Sequence, residues 1–193
     1  MSTAAVTTAR PGKVLADLLP ASRAKNIALV VGGAALTGIA AQIALPVPGS
    51  PVPVTGQTFA ALLVGTALGA RRGFLALAVY ALAGMAGVPW FAEGGSGMAM
   101  ASFGYVIGLM LASAAVGALA RRGADRSMLR TAGTFLLGEA IVYAVGVPYL
   151  ALSTGMGLTA AIAAGLTPFL IGDVLKAALA MGALPTAWKL ADK

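Results

Sequence analysis

Six long apolar segments, joined by short polar connections, dominate this 193-residue sequence and limit the folds open to it. A helix needs about 20 residues to cross the hydrocarbon core of a bilayer. Only 10% of the residues are charged, against about 25% in a typical soluble domain. The sequence therefore predicts an all-α integral membrane protein with six transmembrane helices. The apolar segments are residues 26–45, 54–70, 73–88, 101–120, 131–150 and 164–188.

The second and third segments are short, and little more than Arg71 and Arg72 separates them. Membrane-spanning helices usually have about 17–25 apolar residues. These two segments therefore predict a tight helical hairpin, or helices that do not fully span.

The positions of the basic residues predict the topology. If the chain starts in the cytoplasm, twelve of its thirteen Lys and Arg residues lie on the cytoplasmic side, as the positive-inside rule requires. Lys176 is the exception, and Glu93 is the only charge in the outer loops. We expect a cytoplasmic tail at 1–26 with an interfacial helix near 13–19, a membrane domain at 27–188 and a cytoplasmic tail at 189–193. The net charge of +7 then reflects topology rather than nucleic-acid binding.

The last apolar segment contains two charged residues, Asp173 and Lys176. Three positions apart on a helix, they share a face and can contact each other or one ligand. A charge in a membrane helix costs about 2.5–3.5 kcal/mol on insertion scales and is usually functional. The pair predicts a binding site, and a structural ion pair that locks two helices is the alternative.

Other polar side chains within the apolar segments are further candidates for the site. Glu139 is a third intramembrane charge, either a counter-ion of Lys176 or a ligand or proton site. Tyr143 follows one helical turn later on the same face. Gln57 requires a hydrogen-bond partner inside a membrane. The remaining candidates are the rings of Tyr80 and Tyr105, which packing or interface anchoring could also explain.

Two loops on the predicted outer side have unusual compositions. Residues 46–55 contain four prolines and no charge, which predicts a stiff, extended loop over the outer face. Residues 88–100 place Trp90 and Phe91 before a glycine-rich stretch. That composition is typical of a lid over a ligand, with Phe91 as a contact. An interfacial tryptophan on a flexible loop is the alternative.

Several chemistries lack the residues they need. The sequence contains no Cys and no His, which argues against thiolate and histidine catalysis and most transition-metal sites. It contains no nucleotide-binding P-loop, since its only Gly-Lys pair, Gly12-Lys13, is followed by Val14. We therefore expect no enzyme activity, no metal and no cofactor. The Asp and Lys side chains suit a small polar ligand instead.

These motifs together resemble the BioY family, the biotin-specific S components of energy-coupling-factor (ECF) transporters. The resemblance follows residues 46–95 in order: a Pro-rich loop into V-T-x-Q-T, then G-x-R-x-G, a Tyr-containing helix and G-x-P-x-F-x-x-G-G. It continues to Asp173-x-x-Lys176 and covers roughly residues 27–185. Two departures are Trp90 before Phe91, where a small aliphatic residue is more common, and the double basic pair Arg71-Arg72.

The resemblance implies the six-helix S-component fold in a prokaryotic cell membrane, with biotin bound near the outer face. It implies that Asp173 accepts the ureido N–H groups of biotin and that Lys176 donates to the ligand. It further implies a transmembrane coupling protein and two ATPase subunits as partners. Small residues of the first helix would dock on the coupling protein, in the pairs Ala28 with Gly32 and Ala34 with Gly38.

Two alternatives to an ATPase-driven uptake component stay open. One is a solitary biotin transporter or facilitator, a monomer or homo-oligomer, with Glu139 as a candidate for proton coupling. The other is a structural or signalling membrane protein whose ion pair only locks helices.

Overall fold

The computed structural model describes residues 12–191 as a bundle of α-helices with one small β-hairpin. The predictions for residues 1–11 and 192–193, which include the cytoplasmic placement of Arg10 and Lys193, lie outside the described residues. The elements are, in order, α1 (Arg23–Ala41), β1 (Ala44–Leu45), β2 (Val54–Thr55), α2 (Gln57–Leu68), α3 (Ala70–Met85), α4 (Phe103–Arg121), α5 (Met128–Thr154), α6 (Leu158–Gly165) and α7 (Leu170–Ala191). Short 3-10 turns occupy Leu15–Leu18, Ala92–Gly94 and Thr167–Phe169.

The six predicted membrane helices are present as α1 to α5 and α7. Within residues 12–191, four stretches are long and apolar enough to cross a membrane: Arg23–Ala41, Phe103–Arg121, Met128–Thr154 and Leu158–Ala191. The predicted hairpin of α2 and α3 is confirmed, because Gly69 alone separates the two helices. Its φ of +83° is a conformation that glycine adopts readily and other residues rarely do.

The sixth apolar segment is not one continuous helix. It is interrupted before α7 by a 3-10 turn that contains Pro168. Proline has no backbone N–H and disfavours helical geometry at the preceding residue. A further helix that the apolar segments did not predict, α6, precedes this turn and ends at Gly165. This break places Asp173 in the first turn of α7.

Helix α4 lies at the centre of the bundle and packs against α2, α3 and α5, while α1 covers α2 and α3 and α7 packs on α5. Glycines permit these close crossings. A Cβ on Gly65 would lie 2.4 Å from the backbone oxygen of Ser113, and a Cβ on Gly117 would lie 2.4 Å from the backbone nitrogen of Ala70. Large apolar side chains also cover the outside, as a lipid-facing surface requires; Ile39, Leu82, Leu152, Ile171 and Leu179 are examples.

The two ends of the bundle differ in charge and structure. We call the end that carries Arg71, Arg72 and Arg121 the basic end, and the end that carries the β-hairpin and residues 86–102 the loop end. The Pro-rich segment is not simply extended, because its flanks pair as an antiparallel hairpin, with Ala44 opposite Thr55. Val52, between the two strands, is buried. The binding-site candidates lie towards the loop end.

Candidate binding site

Asp173, Lys176 and Tyr143 form a buried polar cluster between α5 and α7. Lys176 Nζ lies 3.2 Å from Asp173 Oδ1, and Tyr143 donates its hydroxyl hydrogen to Asp173 Oδ2. The Asp173 and Lys176 side chains are 6% and 11% exposed. Because Asp173 lies in the first turn of α7, the unpaired N–H groups of that turn favour its negative charge. The structure shows direct contact between Asp173 and Lys176, one of the two arrangements that their spacing allows.

Glu139 lies beside this cluster, one turn before Tyr143 on α5, and is 6% exposed. Its Oε1 atom accepts no hydrogen bond from the described residues. Within residues 12–191 the ion pair of Lys176 is with Asp173, and none joins Lys176 to Glu139. Lys176 therefore makes its direct ion pair with Asp173, and its charge acts on Glu139 without direct contact. A buried, unpaired carboxylate oxygen is costly, and it is suited to accept an N–H group from a ligand.

A cavity of about 50 Å³ lies between this cluster and the loop end. Five of the predicted contact residues line it: Gln57, Phe91, Tyr105, Glu139 and Tyr143. Val52 and Phe169 line it as well. Most of the lining is apolar with a few polar groups, the usual pattern of a site for a small organic ligand.

A second, larger cavity of about 740 Å³ opens between α5, α6 and α7. Its walls are mostly apolar, but Glu139, Tyr143 and Asp173 also line it. Glu139 and Tyr143 therefore border both cavities, so the polar cluster separates the loop-end cavity from a groove on the side of the bundle. Within residues 12–191, no group of three acidic side chains is arranged to hold a metal ion.

The loop with Trp90 and Phe91 is anchored inside the bundle. Gln42 Nε2 donates to the carbonyl oxygens of Trp90 and Phe91 at 3.0 and 3.1 Å. Phe91 is 2% exposed and occupies the space left by Gly84, where a Cβ would lie 2.1 Å from its ring. The Trp90 ring is half-buried and packs on Gly38 of α1, so the loop is held against the bundle on this side.

The hydroxyl groups of Tyr80 and Tyr105 donate to backbone carbonyl oxygens of other segments at the loop end. Trp90 Nε1 donates to the Tyr80 carbonyl oxygen at 2.9 Å, and the Tyr80 hydroxyl donates to the Trp90 carbonyl oxygen at 3.2 Å. Tyr80 is fully buried and does not line the 50 Å³ cavity. Tyr105 does line it, and its hydroxyl donates to the Gly165 carbonyl oxygen at 2.7 Å.

Sequence reasoning missed several residues of this region, among them Gln42, Val52 and Phe169. Gln42 anchors the Trp90 loop, while Val52 and Phe169 cover the cavity. An amide at the end of an apolar segment was a signal for Gln42, since it needs partners there. Val52 and Phe169 gave no signal, because apolar residues are expected in this sequence.

The structure separates the two pairs predicted to dock on a partner. Ala28 and Gly32 face outward, and a Cβ on Gly32 would meet open space. Ala34 is 1% exposed, and a Cβ on Gly38 would lie 2.9 Å from the Trp90 ring. The prediction for Ala34 and Gly38 is therefore wrong, because their face of α1 is occupied by the chain itself.

Comparisons with known proteins agree on one family. A sequence model of the BioY family matches residues 10–193. The probable biotin transporter BioY of Pyrococcus horikoshii is 34% identical over 162 residues, which cover 82% of this chain and 93% of the relative. The biotin transporter BioY2 of Lactococcus lactis is 34% identical over 157 residues, covering 80% and 85%.

A solved structure has the same fold. It is the crystal structure of the S-component for biotin from an ECF-type ABC transporter. The two folds superpose with a TM-score of 0.77 at 20% sequence identity, and the match covers 90% of this chain and 96% of the other. The predicted six-helix S-component fold is confirmed.

Proposed function

The chain belongs to the BioY family, and on that premise we propose that it is the biotin-binding membrane component of a biotin uptake system. It is a multi-pass protein of the prokaryotic plasma membrane. The observation that carries the assignment of the site is the buried Asp173–Lys176 pair beside a Glu139 oxygen that accepts no hydrogen bond from the described residues. We propose that the chain is not an enzyme, that it holds no cofactor and that biotin is the ligand it transports.

The ureido ring of biotin matches the polar cluster in donors and acceptors. It carries two N–H donors and one carbonyl acceptor. The carboxylates of Asp173 and Glu139 accept the N–H groups, and Lys176 donates to the carbonyl oxygen. Each carboxylate oxygen of Asp173 accepts one hydrogen bond, from Lys176 or Tyr143, and keeps a further lone pair for an N–H group of the ligand. The thiophane ring and valeryl chain contact Tyr105, Phe91 and their apolar neighbours.

Entry of biotin requires the loop end to open. A cavity of about 50 Å³ holds a few water molecules at most and cannot hold a fused-ring ligand. Val52, Phe91 and Phe169 line this cavity on three separate segments. Their outward movement, with α1 to α5 unchanged, enlarges the site without disturbing the core. The loops of residues 46–53 and 86–102 then act as lids.

Energy for release comes from separate subunits. We propose that an ECF coupling protein docks on the outward face of Ala28 and Gly32 and that two ATPase subunits drive it. The small side chains on this face of α1 permit close approach of another membrane helix.

Biotin titration of the purified chain tests the site. We expect Asp173→Asn and Lys176→Ala each to weaken binding about 10- to 100-fold, since a hydrogen bond to a charged group contributes about 1.5–3 kcal/mol. Lys189→Ala, on the exposed end of the same helix, is the matched control and should bind like the wild type. If both site variants kept wild-type affinity in calorimetry, the assignment would be wrong.

Glu139 favours one second candidate, a solitary transporter coupled to protons. A buried ionisable group that lines two cavities is the kind of residue that carries protons in transporters. Vesicles that contain only this chain distinguish the two mechanisms. Biotin uptake that follows an imposed proton gradient, and whose dependence on that gradient is lost in Glu139→Gln at saturating biotin, supports the solitary transporter. Uptake that requires added ATPase subunits and ATP rules it out.

A further inference from the structure

A cavity of about 660 Å³ lies at the basic end, between α1 and α3. The proposed biotin site does not include it. We call it the basic groove. Its lining combines two kinds of side chain, apolar ones along the two helices and charged ones at the end of the bundle. The apolar lining consists of Ala21, Ile27, Val30, Val31, Leu75 and Val79, and the polar lining of Asp17, Lys25, Asn26, Arg71, Arg72 and Arg121.

The apolar walls are stripes along each helix. Arg71, Leu75 and Val79 follow one another at four-residue intervals on α3, so they share one face. Ile27 and Val31 have the same spacing on α1. The side chains of Ile27 and Val31 are 66% and 54% exposed, and those of Leu75 and Val79 are 43% and 37% exposed. These stripes therefore face outward and run from the basic end towards the bilayer interior.

The charged end of the groove has four cations and one carboxylate. Asp17 is paired with Arg72 and lies 3.8 Å from Arg121 Nη1. Lys25 Nζ donates to the carbonyl oxygens of Ala16 and Leu19, which neutralise no charge. Arg71 is exposed and has no polar partner among residues 12–191. The end of the groove therefore carries an excess positive charge with free donors.

We propose that the basic groove binds one phospholipid with an anionic headgroup. Basic pockets between transmembrane helices recognise such headgroups, and each Lys or Arg near the membrane surface contributes about 1 kcal/mol. Arg71 and Lys25 contact the phosphate, and the α1 and α3 stripes hold an acyl chain. A zwitterionic lipid binds the basic groove less strongly, because its headgroup carries no net negative charge. A helix of a partner protein would fill the walls but would leave the cations unpaired unless it were acidic.

Native mass spectrometry of the delipidated full chain with phosphatidylglycerol or phosphatidylcholine tests the charges. We expect one phosphatidylglycerol molecule to be retained in preference to phosphatidylcholine. Arg71→Gln should weaken its retention about fivefold, the loss of about 1 kcal/mol for one cation. Arg130→Gln, an exposed basic residue outside the groove, is the matched control and should retain the lipid like the wild type.

A separate variant tests the apolar walls of the basic groove. Val31→Trp fills the groove from its exposed side and should abolish the preference, whereas Leu111→Trp, which is also outward-facing but lies on α4, should not. Equal retention of the two lipids by the wild type, or equal effects of Arg71→Gln and Arg130→Gln, would overturn the proposal. Full competition by soluble glycerol 3-phosphate would also overturn it, because the acyl chain would then contribute nothing. So would loss of partner assembly in Arg71→Gln with lipid retention unchanged, which would identify a protein-docking surface.

Discussion

The carboxylate of Glu139 lies inside the bundle with one oxygen that accepts no hydrogen bond from the described residues. The neighbouring Asp173 has both oxygens occupied, by Lys176 and Tyr143. The protein thus supplies hydrogen bonds to both carboxylate oxygens of Asp173, but it leaves one oxygen of Glu139 without any. Folding explains the partners of Asp173, but it does not explain why an unsatisfied acceptor is placed next to it. A ligand with N–H donors explains that placement.

Glu139→Gln should therefore separate stability from affinity. Glutamine cannot ionise, so Glu139→Gln removes the cost of burying a carboxyl group that lacks a partner at one oxygen, and the melting temperature of the ligand-free chain should stay the same or rise. Biotin affinity should fall about tenfold, because a neutral amide is a weaker acceptor. Thermal unfolding and biotin titration of the same preparation measure both effects. Tyr143→Phe is the comparison, since it removes a satisfied hydrogen bond and should lower stability. A loss of stability in Glu139→Gln would indicate a structural role.

The helices follow the apolar segments closely, because burial in lipid leaves helical hydrogen bonding as the main way to satisfy the backbone. Hydropathy therefore predicted α1 to α5 and the hairpin of α2 and α3. Hydropathy did not predict α6. The apolar residues of α6 continue into α7, and only Pro168 marks the boundary between the two helices. Nor could hydropathy place Trp90 against Gly38. That contact joins residues far apart in sequence and depends on how the helices pack.

The polar residues of the site could be predicted from the sequence, but their partners could not. Asp173, Lys176, Glu139 and Tyr143 stand out because polar residues are rare in such segments. Their partners were not predictable, since the choice between Asp173 and Glu139 for Lys176 depends on the rotation of α5 relative to α7. For the same reason, spacing alone could not show that Ala34 and Gly38 face inward.

The packing of Phe91 against Gly84 predicts the behaviour of the lid. Gly84→Ala places a methyl group where the Phe91 ring lies, so it should displace the loop. We expect biotin to dissociate several-fold faster, with a smaller change in association, in stopped-flow measurements. Gly182→Ala on α7 is the control, because a Cβ there meets open space and alanine favours the helix. Identical dissociation rates for the two variants would show that the loop does not retain the ligand.

The segment of residues 12–19 joins several helices at the basic end. Gly12 and Arg121 exchange two hydrogen bonds, and Val14 is fully buried. Asp17 connects this segment to Arg72 of α3 and to Arg121 of α4. Nearby, Trp188 of α7 donates to Asp125 Oδ2 at 2.6 Å, and the Arg126 guanidinium lies 4.1 Å from the centre of the Trp188 ring. The bundle is thus fastened at the basic end by polar contacts, while the loop end is closed mainly by apolar side chains.

Two carboxylates of the basic end should affect stability with opposite dependence on pH. Burial alone would raise the pKa of Asp17, but the hydrogen bonds from Arg72 and Val14 and the Arg72 and Arg121 charges outweigh it and hold that pKa below its ordinary value of 3.8. Burial raises the pKa of Asp125, against the hydrogen bond from Trp188. Ionised Asp17 therefore stabilises the fold above its unfolded pKa, and ionised Asp125 costs stability at neutral pH.

Asp17→Asn should lower the melting temperature at neutral pH, and the difference from the wild type should vanish as the pH falls below 3.8 through the folded pKa of Asp17. Asp125→Asn keeps an acceptor for Trp188 and removes a buried charge, so it should match or exceed the wild type at neutral pH. Its advantage should fade as acid protonates Asp125 in the wild type. Thermal unfolding in detergent across this pH range measures both. If Asp17→Asn lowered the melting temperature equally at every pH, the shape of the Asp17 side chain, rather than its ion pair, would hold residues 12–19 against the bundle.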